Sequence, residues 1–369
     1  MKVVFAGGGT GGHLYPGLAI ARALVRLDDR IHPFFIGARR GVERDVLPKT
    51  EFPHLLLDLR PLDRRRPWLV GGTIASAMRA VADLDREWER AHPALVVGTG
   101  GYASAPILTW AWRRGVPFVL QEQNSEPGIV TRFFSRFARE VYLGYGEAKR
   151  RLTIRRGGWI GETGNPIQPP PVPRPSREEA RRRWQFPEVG GMVLLVFGGS
   201  QGAKAINDAM AGWLDKDSPK GLYIIWATGR ATHERFAHLE RAAVRVLPYL
   251  SPIEHAYAAA DLAVTRAGAL TLAELCAWGI PSLLIPLPTA AADHQSANAD
   301  ALAASGAARV LSQSALTPAS LGSTVLRLLA SGDALATAAA AALARARPRA
   351  AEDIARRILT LLHLEQNET

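Results

Sequence analysis

Two glycine-rich segments follow short apolar runs, one at the start of the chain and one past its midpoint. Residues 7–13 read GGGTGGH after the apolar run 2–6, and residues 198–203 read GGSQGA after the run 193–197. A glycine loop between a strand and a helix presents main-chain N–H groups at the helix N-terminus, where phosphate groups bind. Two such loops, about one domain apart, predict two α/β domains that face each other across a cleft and hold a ligand between them.

The first loop fits more than one ligand. Gly7, Gly9 and Gly12 satisfy the G-x-G-x-x-G spacing of dinucleotide-binding proteins, which also have an acidic residue at the end of the second strand. Here Arg39 and Arg40 stand at that place, so an NADP-dependent oxidoreductase stays open as an alternative. The loop also carries His13, and we expect its helix to begin only after Pro16.

Polar residues follow several other predicted strands. In the first half, residues 98–106 (GTGGYASAP) follow the strand 94–97, and residues 121–124 (QEQN) follow the strand 117–120. In the second half, residues 265–274 follow the strand 261–264 and residues 293–298 follow the strand 282–285. Because loops after the carboxyl ends of parallel strands line the ligand crevice, these segments are candidate binding loops.

The segment 265–274 suits a nucleotide diphosphate. Gly268 and Thr271 open a helix, whose first N–H groups and dipole favour a diphosphate. Glu274, one turn further on, can accept hydrogen bonds from two ribose hydroxyls, although an acid there also complements the helix dipole.

Composition sets the class of protein. The chain has 369 residues, 47% of them hydrophobic, which is enough for two domains with real cores. Its single cysteine, Cys276, permits no internal disulfide and is expected in the core. No signal-peptide pattern and no apolar run of membrane-spanning length is present, so we expect a cytoplasmic, soluble or peripheral protein.

Charge is unevenly distributed between the two halves. The formal net charge is +11, and residues 1–165 hold 25 Lys and Arg against 16 Asp and Glu, whereas the remainder holds 20 against 18. A basic first half indicates an anionic partner such as a membrane surface, phosphates or nucleic acid.

Short β-type runs alternate with helical patterns through both halves. Because this alternation is typical of parallel sheets with crossover helices, we predict an α/β protein with two doubly wound, Rossmann-like domains. The proline-rich segment 164–175 marks the boundary. We predict an N-terminal domain over 1–165, a second domain over 166–348, and a C-terminal helix within 349–369 that packs back on the first domain. The remaining predicted strands are 2–6, 32–36, 54–58, 140–143, 192–197, 222–227, 244–247 and 308–311.

In combination, these segments resemble the MurG family of peptidoglycan glycosyltransferases. The matching stretches span nearly the whole chain in family order: 7–21, 98–106, 122–124, 164–166, 198–207, 266–274 and 293–299. The resemblance implies the glycosyltransferase B fold and an inverting, metal-independent hexosyltransferase that needs no cofactor. N-acetylglucosamine would pass from UDP-N-acetylglucosamine, held by the second domain, to undecaprenyl-pyrophosphoryl-N-acetylmuramyl-pentapeptide, held by the first. No nucleic acid is expected as a partner.

The resemblance also implies roles for particular residues. His13 is the candidate catalytic base, because an imidazole accepts a proton near neutral pH. Glu274 would hold the ribose and the main chain of Leu250 would contact uracil. Gly100, Gly101, Tyr102 and Glu122 belong to the acceptor loops. The other expected donor-binding residues are Thr10, Gly11, Gly12, Asn124, Ser200, Gln201, Gly202, Ala269, Leu270, Thr271, His294 and Gln295.

The chain departs from the family pattern at two positions. Gln168 stands where the family often has an arginine that contacts the donor, and Arg266 and Lys204 are the candidates to replace that charge. Gln121 stands where the family often has a histidine, so no catalytic role of that histidine carries over.

A lipid acceptor requires contact with a bilayer. Apolar residues at 68–88 and Trp112 lie near a set of arginines, a mixture that suits the surface of an anionic membrane. We therefore expect a peripheral protein on the cytoplasmic face of the bacterial inner membrane. The arginines are Arg64, Arg65, Arg66, Arg79, Arg86, Arg113, Arg114, Arg132, Arg136 and Arg139.

Alternatives remain besides the oxidoreductase. Another lipid glycosyltransferase of the same architecture, a sugar-nucleotide epimerase sharing the fold, and a non-catalytic membrane-recruiting subunit are each compatible with parts of the pattern.

Overall fold

The computed structural model describes residues 1–59, 70–88, 92–199, 202–216 and 219–367. Their contacts divide the chain into two compact units. The first unit comprises Met1–Gln168 with Arg347–Thr369, and the second comprises Pro169–Ala346.

The first unit is built on a seven-stranded parallel sheet in the order β3-β2-β1-β4-β5-β6-β7. Its strands are β1 (Lys2–Gly7), β2 (His32–Ala38), β3 (His54–Leu57), β4 (Leu95–Gly100), β5 (Phe118–Glu122), β6 (Glu140–Leu143) and β7 (Trp159–Glu162). Its helices are α1 (Gly11–Leu27), α2 (Glu43–Val46), α3 (Val70–Glu87), α4 (Ser104–Arg114), α5 (Ile129–Phe134) and, from the end of the chain, α14 (Ala350–Asn367).

The second unit has a six-stranded parallel sheet in the order β10-β9-β8-β11-β12-β13. Its strands are β8 (Met192–Phe197), β9 (Leu222–Ala227), β10 (Val244–Leu247), β11 (Leu262–Thr265), β12 (Ser282–Leu284) and β13 (Ala308–Val310). Its helices are α6 (Arg177–Arg183), α7 (Lys204–Leu214), α8 (His233–Phe236), α9 (Ile253–Ala259), α10 (Ala269–Trp278), α11 (His294–Ala304), α12 (Pro318–Leu329) and α13 (Gly332–Arg345).

Successive side chains of a strand point to opposite faces of its sheet, and helices pack on both faces of each sheet, so both faces are buried. In β1, Val3 and Phe5 pack with α1 and α14, whereas Val4 and Ala6 pack with the residues of α3 and α4. β8 divides in the same way between two clusters. The alternation of strands and helices confirms the predicted α/β class with two doubly wound sheets, and Cys276 is buried as expected.

Three local predictions were wrong. α1 begins at Gly11 rather than after Pro16: Pro16 lies inside the helix, in its second turn, where it lacks the N–H that would bond to the Gly12 carbonyl, and the helix continues past it to Leu27. β4 continues through Gly98, Thr99 and Gly100, which were expected in a loop. The edge strand β7 was missed, since its sequence, WIGE, alternates poorly and lies between glycines.

The C-terminal helix α14 packs on α1 in the first unit. Ile354, Ile358 and Leu362 enter the core formed with Val3 and Phe5. On the neighbouring face of α14, Arg357 donates two hydrogen bonds of 2.8 Å to the Glu140 carboxylate and lies 3.5 Å from the centre of the Trp159 ring. The end of the chain is thus tied to β6 and β7.

Among the described residues, no single helix is both long and apolar enough to cross a bilayer; one bent pair, Pro318–Leu329 with Gly332–His363, meets that test by length and composition alone.

Replacing Arg357 by alanine tests how strongly α14 is held. The substitution removes a bidentate, partly buried ion pair and a cation–π contact, so we expect a loss of about 2 kcal/mol in the free energy of unfolding. Arg356→Ala is the matched control, because the pair that Arg356 forms with Glu352 is exposed, so its loss should change stability by less than about 0.5 kcal/mol. Denaturant unfolding of both variants measures the difference, and equal losses would contradict the account.

Candidate active site

The first glycine loop joins β1 to α1, and a buried carboxylate accepts a hydrogen bond from its main chain. Glu43 is fully buried, and its Oε1 accepts a hydrogen bond of 2.5 Å from the Gly9 N–H. Gly8 has no room for a side chain, because a Cβ atom there would lie 1.3 Å from that same oxygen. The loop therefore runs close over Glu43 and delivers Thr10, Gly11 and Gly12 to the start of a 17-residue helix, whose positive dipole end favours an anion.

His13 lies in the first turn of α1 and contacts the ends of two other strands. Its Nδ1 is 3.1 Å from the carbonyl oxygen of Thr99, at the end of β4, and 3.0 Å from Oε1 of Gln123, just after β5. The Thr99 hydroxyl donates to the main-chain oxygen of His13 over 2.7 Å. The imidazole is therefore fixed between β4 and β5 rather than mobile in a loop.

Gly100 and Gly101 leave the space that the His13 ring occupies. Both have left-handed φ angles, +90° and +77°, and a Cβ atom on either residue would lie about 3 Å from the imidazole. A Cβ on Gly101 would also lie 2.1 Å from the main-chain oxygen of Gly8. Tyr102 follows and packs its ring against Gly9; burial, and secondarily the charge of Glu43, raise the pKa of its phenol.

Glu122 organises the loop that follows β5. Its carboxylate accepts hydrogen bonds from the main chain and side chain of Asn124, at 3.1 and 3.2 Å, and from the Gly128 N–H at 3.0 Å. Glu122 is buried, so it holds Asn124 in place and is not itself presented to a ligand.

In the second unit, the loops after β8 and β11 line a cavity of about 680 Å³. Three of the predicted donor-binding residues line it, namely Gly202, Thr271 and Gln295, together with Gly268 at the start of α10. Gly202 has a left-handed φ of +75°, and a Cβ there would lie 2.1 Å from the main-chain oxygen of Thr228. The cavity thus faces the N-terminal end of α10, an arrangement suited to a diphosphate.

Two cations reach this cavity. Arg266 is held by main-chain oxygens of Ile285 and Pro286, at 2.9 and 3.1 Å, and by Oε1 of Gln313 at 2.6 Å. Burial lowers the pKa of its guanidinium. Lys204 also lines the cavity and pairs with Asp208. Arg266 is therefore a fixed positive charge and Lys204 an exposed one.

Glu274 lies in the second turn of α10, outside the cavity lining, and is half-buried. Tyr257 donates a hydrogen bond of 2.7 Å to its Oε2. Burial raises the pKa of the Glu274 carboxyl, although the bond from Tyr257 acts in the opposite direction. Burial, with the nearby Glu274 charge, also raises the pKa of Tyr257.

The other predicted residues are not among those that line this cavity. Leu250 and Ala269 have buried side chains. Leu270, near the start of α10, and His294, at the start of α11, are half-buried. Gln168 is exposed at the last position of the first segment of unit one. Ser200 and Gln201 lie outside the described residues.

The sequence did not single out several residues that surround His13 in the first unit or line the cavity in the second. In the first unit these are Glu43, Thr99, Gln123 and Asn165. Gln123 and Asn165 lie within the matched stretches 122–124 and 164–166, which was the available signal, whereas nothing in the sequence marked Glu43 as buried. In the second unit the missed lining residues include Asp208, Thr265, Leu287 and Gln313. Over the described ranges, no group of three or more His, Cys, Asp or Glu side chains is placed to hold a metal ion.

Comparison with known families identifies both halves. The Glycosyltransferase family 28 N-terminal domain matches residues 3–143, and the Glycosyltransferase family 28 C-terminal domain matches residues 193–354. The chain belongs to glycosyltransferase family 28. As a family 28 protein it has the glycosyltransferase B type of fold, which confirms the fold expected from the motifs.

Relatives of this family 28 chain extend over its whole length. Proteins from Moorella thermoacetica and Desulforamulus reducens are 38% and 35% identical, covering 97% and 99% of this chain and 98% and 100% of their own. Both are named UDP-N-acetylglucosamine--N-acetylmuramyl-(pentapeptide) pyrophosphoryl-undecaprenol N-acetylglucosamine transferase. The crystal structure of Acinetobacter baumannii MurG is similar, with a TM-score of 0.74, 28% identity and coverage of 97% of this chain and 99% of that one. The resemblance to the MurG family is thereby confirmed.

The raised pKa of Glu274 predicts a cost in stability that a neutral side chain avoids. A carboxyl whose pKa is higher in the folded than in the unfolded chain stabilises the fold below its ordinary pKa and loses that contribution as pH rises through the folded value. Glu274→Gln should therefore unfold at a higher temperature than the parent at neutral pH, with a gap that shrinks toward pH 4.5, the ordinary value for glutamate.

Thermal unfolding across this pH range measures the gap. Glu234→Gln, at an exposed position of α8, is the control and should show no such trend. A Glu274→Gln protein less stable than the parent at every pH would contradict the assignment.

Proposed function

We propose that this chain transfers N-acetylglucosamine from UDP-N-acetylglucosamine to undecaprenyl-pyrophosphoryl-N-acetylmuramyl-pentapeptide, the step that completes the lipid-linked disaccharide of peptidoglycan. The carrying observation is the full-length similarity, at 35% to 38% identity, to relatives named for this reaction. The geometry agrees, since one unit holds a fixed imidazole and the other a cavity at a helix N-terminus.

The second unit is the proposed donor site. The diphosphate would lie at the start of α10, against main-chain N–H groups of Ala269, Leu270 and Thr271 and those of the loop 200–202. Arg266 and Lys204 line the same cavity and supply the positive charge that Gln168 lacks. Because Oε2 of Glu274 is held by Tyr257, its Oε1 is left to accept hydrogen bonds from the ribose.

Further donor contacts complete this proposal. The main chain of Leu250 would contact uracil. Gln295, with His294 beside it, would contact the N-acetylglucosamine or its phosphates. Asn124 and the turn formed by Thr10, Gly11 and Gly12 would contribute to the same sugar and phosphate groups from the first unit. Gly100, Gly101 and Tyr102 would line the acceptor site.

His13 is the proposed base for the transfer. The imidazole takes the proton of the muramyl C4 hydroxyl as that oxygen attacks the anomeric carbon from the face opposite UDP. The new C1–O4 bond forms while the bond to the UDP oxygen breaks, and UDP leaves with that electron pair, so the anomeric configuration inverts. N–H groups and cations around the diphosphate stabilise the charge that develops on it.

Product analysis tests the reaction directly. We expect that the chain, incubated with UDP-N-acetylglucosamine and a lipid-linked muramyl-peptide analogue, adds one N-acetylglucosamine to the lipid and releases UDP, as read by mass spectrometry. His13→Ala should lower turnover by about 10²-fold or more while UDP binding stays nearly unchanged. His32→Ala, an exposed histidine of the same unit, is the control.

The outcomes separate the alternatives. Full activity of His13→Ala would remove His13 from the mechanism. Interconversion of the UDP-sugar without an acceptor would support an epimerase, and transfer to a diacylglycerol alone would support another lipid glycosyltransferase. The family assignment itself argues against the oxidoreductase.

A surface of the first unit is suited to a lipid bilayer. We define the aromatic patch as Trp112, Phe133, Phe137 and Arg136: the Trp112 and Phe137 rings lie 5.2 Å apart, those of Phe133 and Phe137 lie 6.0 Å apart, and Arg136 stacks on Phe133. Trp112 and Phe133 are about half exposed, at 51% and 52%. Exposed aromatic rings beside arginine favour the interface of an anionic membrane.

This patch supports the proposal of a peripheral protein on the cytoplasmic face of the inner membrane. Ile129 and Met78 add exposed apolar surface in the same unit. Of the other residues expected there, Leu84 and Trp88 are buried in the core. Arg64, Arg65, Arg66, Trp68 and Leu69 lie outside the described residues, as do the side chains of Val70 and Ile74.

Charge reversal tests this proposal. Arg113→Glu with Arg136→Glu should weaken binding to anionic vesicles by about thirtyfold or more, since each well-placed basic residue contributes about 1 kcal/mol and the new acids repel the surface. The control carries Arg183→Glu and Arg327→Glu, two changes in the second unit. Co-sedimentation with vesicles rich in acidic phospholipid provides the measurement, and unchanged binding of the first variant would contradict the proposal.

A further inference from the structure

The ring nitrogen that faces the substrate can be assigned from a chain of buried amides behind His13. Asn165, Gln121 and Gln123, which we call the amide relay, are 3%, 0% and 2% exposed. Each is hydrogen-bonded to the next, and the last reaches the imidazole. Because a primary amide has one donor end and one acceptor end, the orientation of one member constrains the others.

The relay is anchored at main-chain oxygens, which only accept. Asn165 Nδ2 donates to the main-chain oxygen of Gln123 over 3.0 Å, so Asn165 Oδ1 faces the other way and accepts from Nε2 of Gln121 at 3.3 Å. Oε1 of Gln121 is thereby turned toward Nε2 of Gln123, which donates to it.

Gln123 is held in one orientation by further oxygens. Its Nε2 also donates to the main-chain oxygen of Thr99 at 2.8 Å and lies 3.2 Å from that of Gln121. Rotating the amide by half a turn would place Oε1 among three oxygens and remove the hydrogen bonds that Nε2 donates there, a costly arrangement in a buried site. Oε1 of Gln123 therefore faces His13.

His13 Nδ1 then lies between two oxygens, Oε1 of Gln123 at 3.0 Å and the main-chain oxygen of Thr99 at 3.1 Å. Neither oxygen can donate, so Nδ1 must carry the proton. In a neutral imidazole the other nitrogen, Nε2, then holds the lone pair. No described residue hydrogen-bonds Nε2.

We propose that the amide relay holds neutral His13 as its Nδ1–H tautomer, so that Nε2 is the atom that takes the proton from the acceptor hydroxyl, with Gln123 as the positioning residue. This inference rests on the proposed function for the identity of that hydroxyl. After proton transfer both nitrogens carry hydrogen, and Nδ1–H keeps its two oxygen partners, so the imidazolium forms without rearrangement of the relay.

The relay is uncharged throughout. The acid beside it in sequence, Glu122, is engaged by Asn124 and Gly128. Gln121, which stands where the family often has a histidine, is fully buried and accepts a hydrogen bond from Gln123, so it acts on His13 through that residue.

Nitrogen spectroscopy of the full chain tests the tautomer without relying on activity. With histidine labelled by ¹⁵N, the two-bond proton–nitrogen correlations of a neutral imidazole distinguish a protonated from an unprotonated ring nitrogen. The chain has nine histidines, and His13→Gln identifies the signal of His13 by its loss. At mildly alkaline pH we expect a protonated Nδ1 and an unprotonated Nε2, and the reverse pattern would overturn the proposal.

Two variants test the positioning role of Gln123. Gln123→Met keeps the length of the side chain but removes its oxygen, so the His13 signals should move toward a mixture of tautomers. We expect kcat to fall about tenfold, with KM for UDP-N-acetylglucosamine unchanged. Gln121→Met removes the relay member behind Gln123, which keeps its two main-chain acceptors, so the same tautomer shift and loss of kcat should appear in it but be smaller. A parental spectrum and kcat in Gln123→Met, or equal losses in both variants, would overturn the role of Gln123.

The wild-type spectrum decides the tautomer even where a variant does not fold. Failure of the proposed function is a separate result. If the spectrum shows a protonated Nδ1 but no sugar is transferred, the tautomer assignment stands and the proposed function fails. Sugar transfer with a protonated Nε2 overturns the inference and leaves the function standing.

Discussion

Parallel strands place all their carboxyl ends at one edge of a sheet, and both candidate sites depend on this constraint. In the first unit the ends of β1, β4 and β5 meet there, so His13 contacts Thr99 and Gln123, which lie 86 and 110 residues further along the chain. In the second unit the ends of β8 and β11 flank one cavity. Short glycine turns are required at both, because a Cβ on Gly101 or Gly202 would meet a main-chain oxygen at 2.1 Å.

At such an edge the buried polar groups must satisfy one another, and this requirement gives the first site its chemistry. Amide and carbonyl groups surround the inner face of the His13 ring, and each donor meets an acceptor. A neutral network of this kind fixes the ring without introducing a buried charge, which would need its own partner. The dipoles of the two oxygens at Nδ1 also remain in place when the ring becomes charged, which is the property of a preorganised site.

Two acids, Glu274 and Glu43, reduce the stability of the fold, which is expected where side chains are kept for function. Glu274 is retained although burial raises its pKa, with only Tyr257 donating to its Oε2. Glu43 is fully buried, and Oε2 of its carboxylate has no hydrogen-bond partner in the part of the chain that the structure describes. Each acid adjoins a segment proposed to bind substrate. The cores of both units, packed on both faces of each sheet, provide the stability that offsets these costs.

The sequence by itself determined the class of fold, because period-two apolar runs, glycine turns and helical patterns are local signals. It located twelve of the strands that the structure contains, and it marked the segments that carry His13, Gly202, Thr271 and Gln295. Only the tertiary structure decided which side chains meet. Gln123 and Asn165 lie 42 residues apart, and Glu43 approaches Gly9 across 34, so no local pattern records those contacts. The same holds for the direction in which each amide points, since it is set by oxygens that several strands bring together.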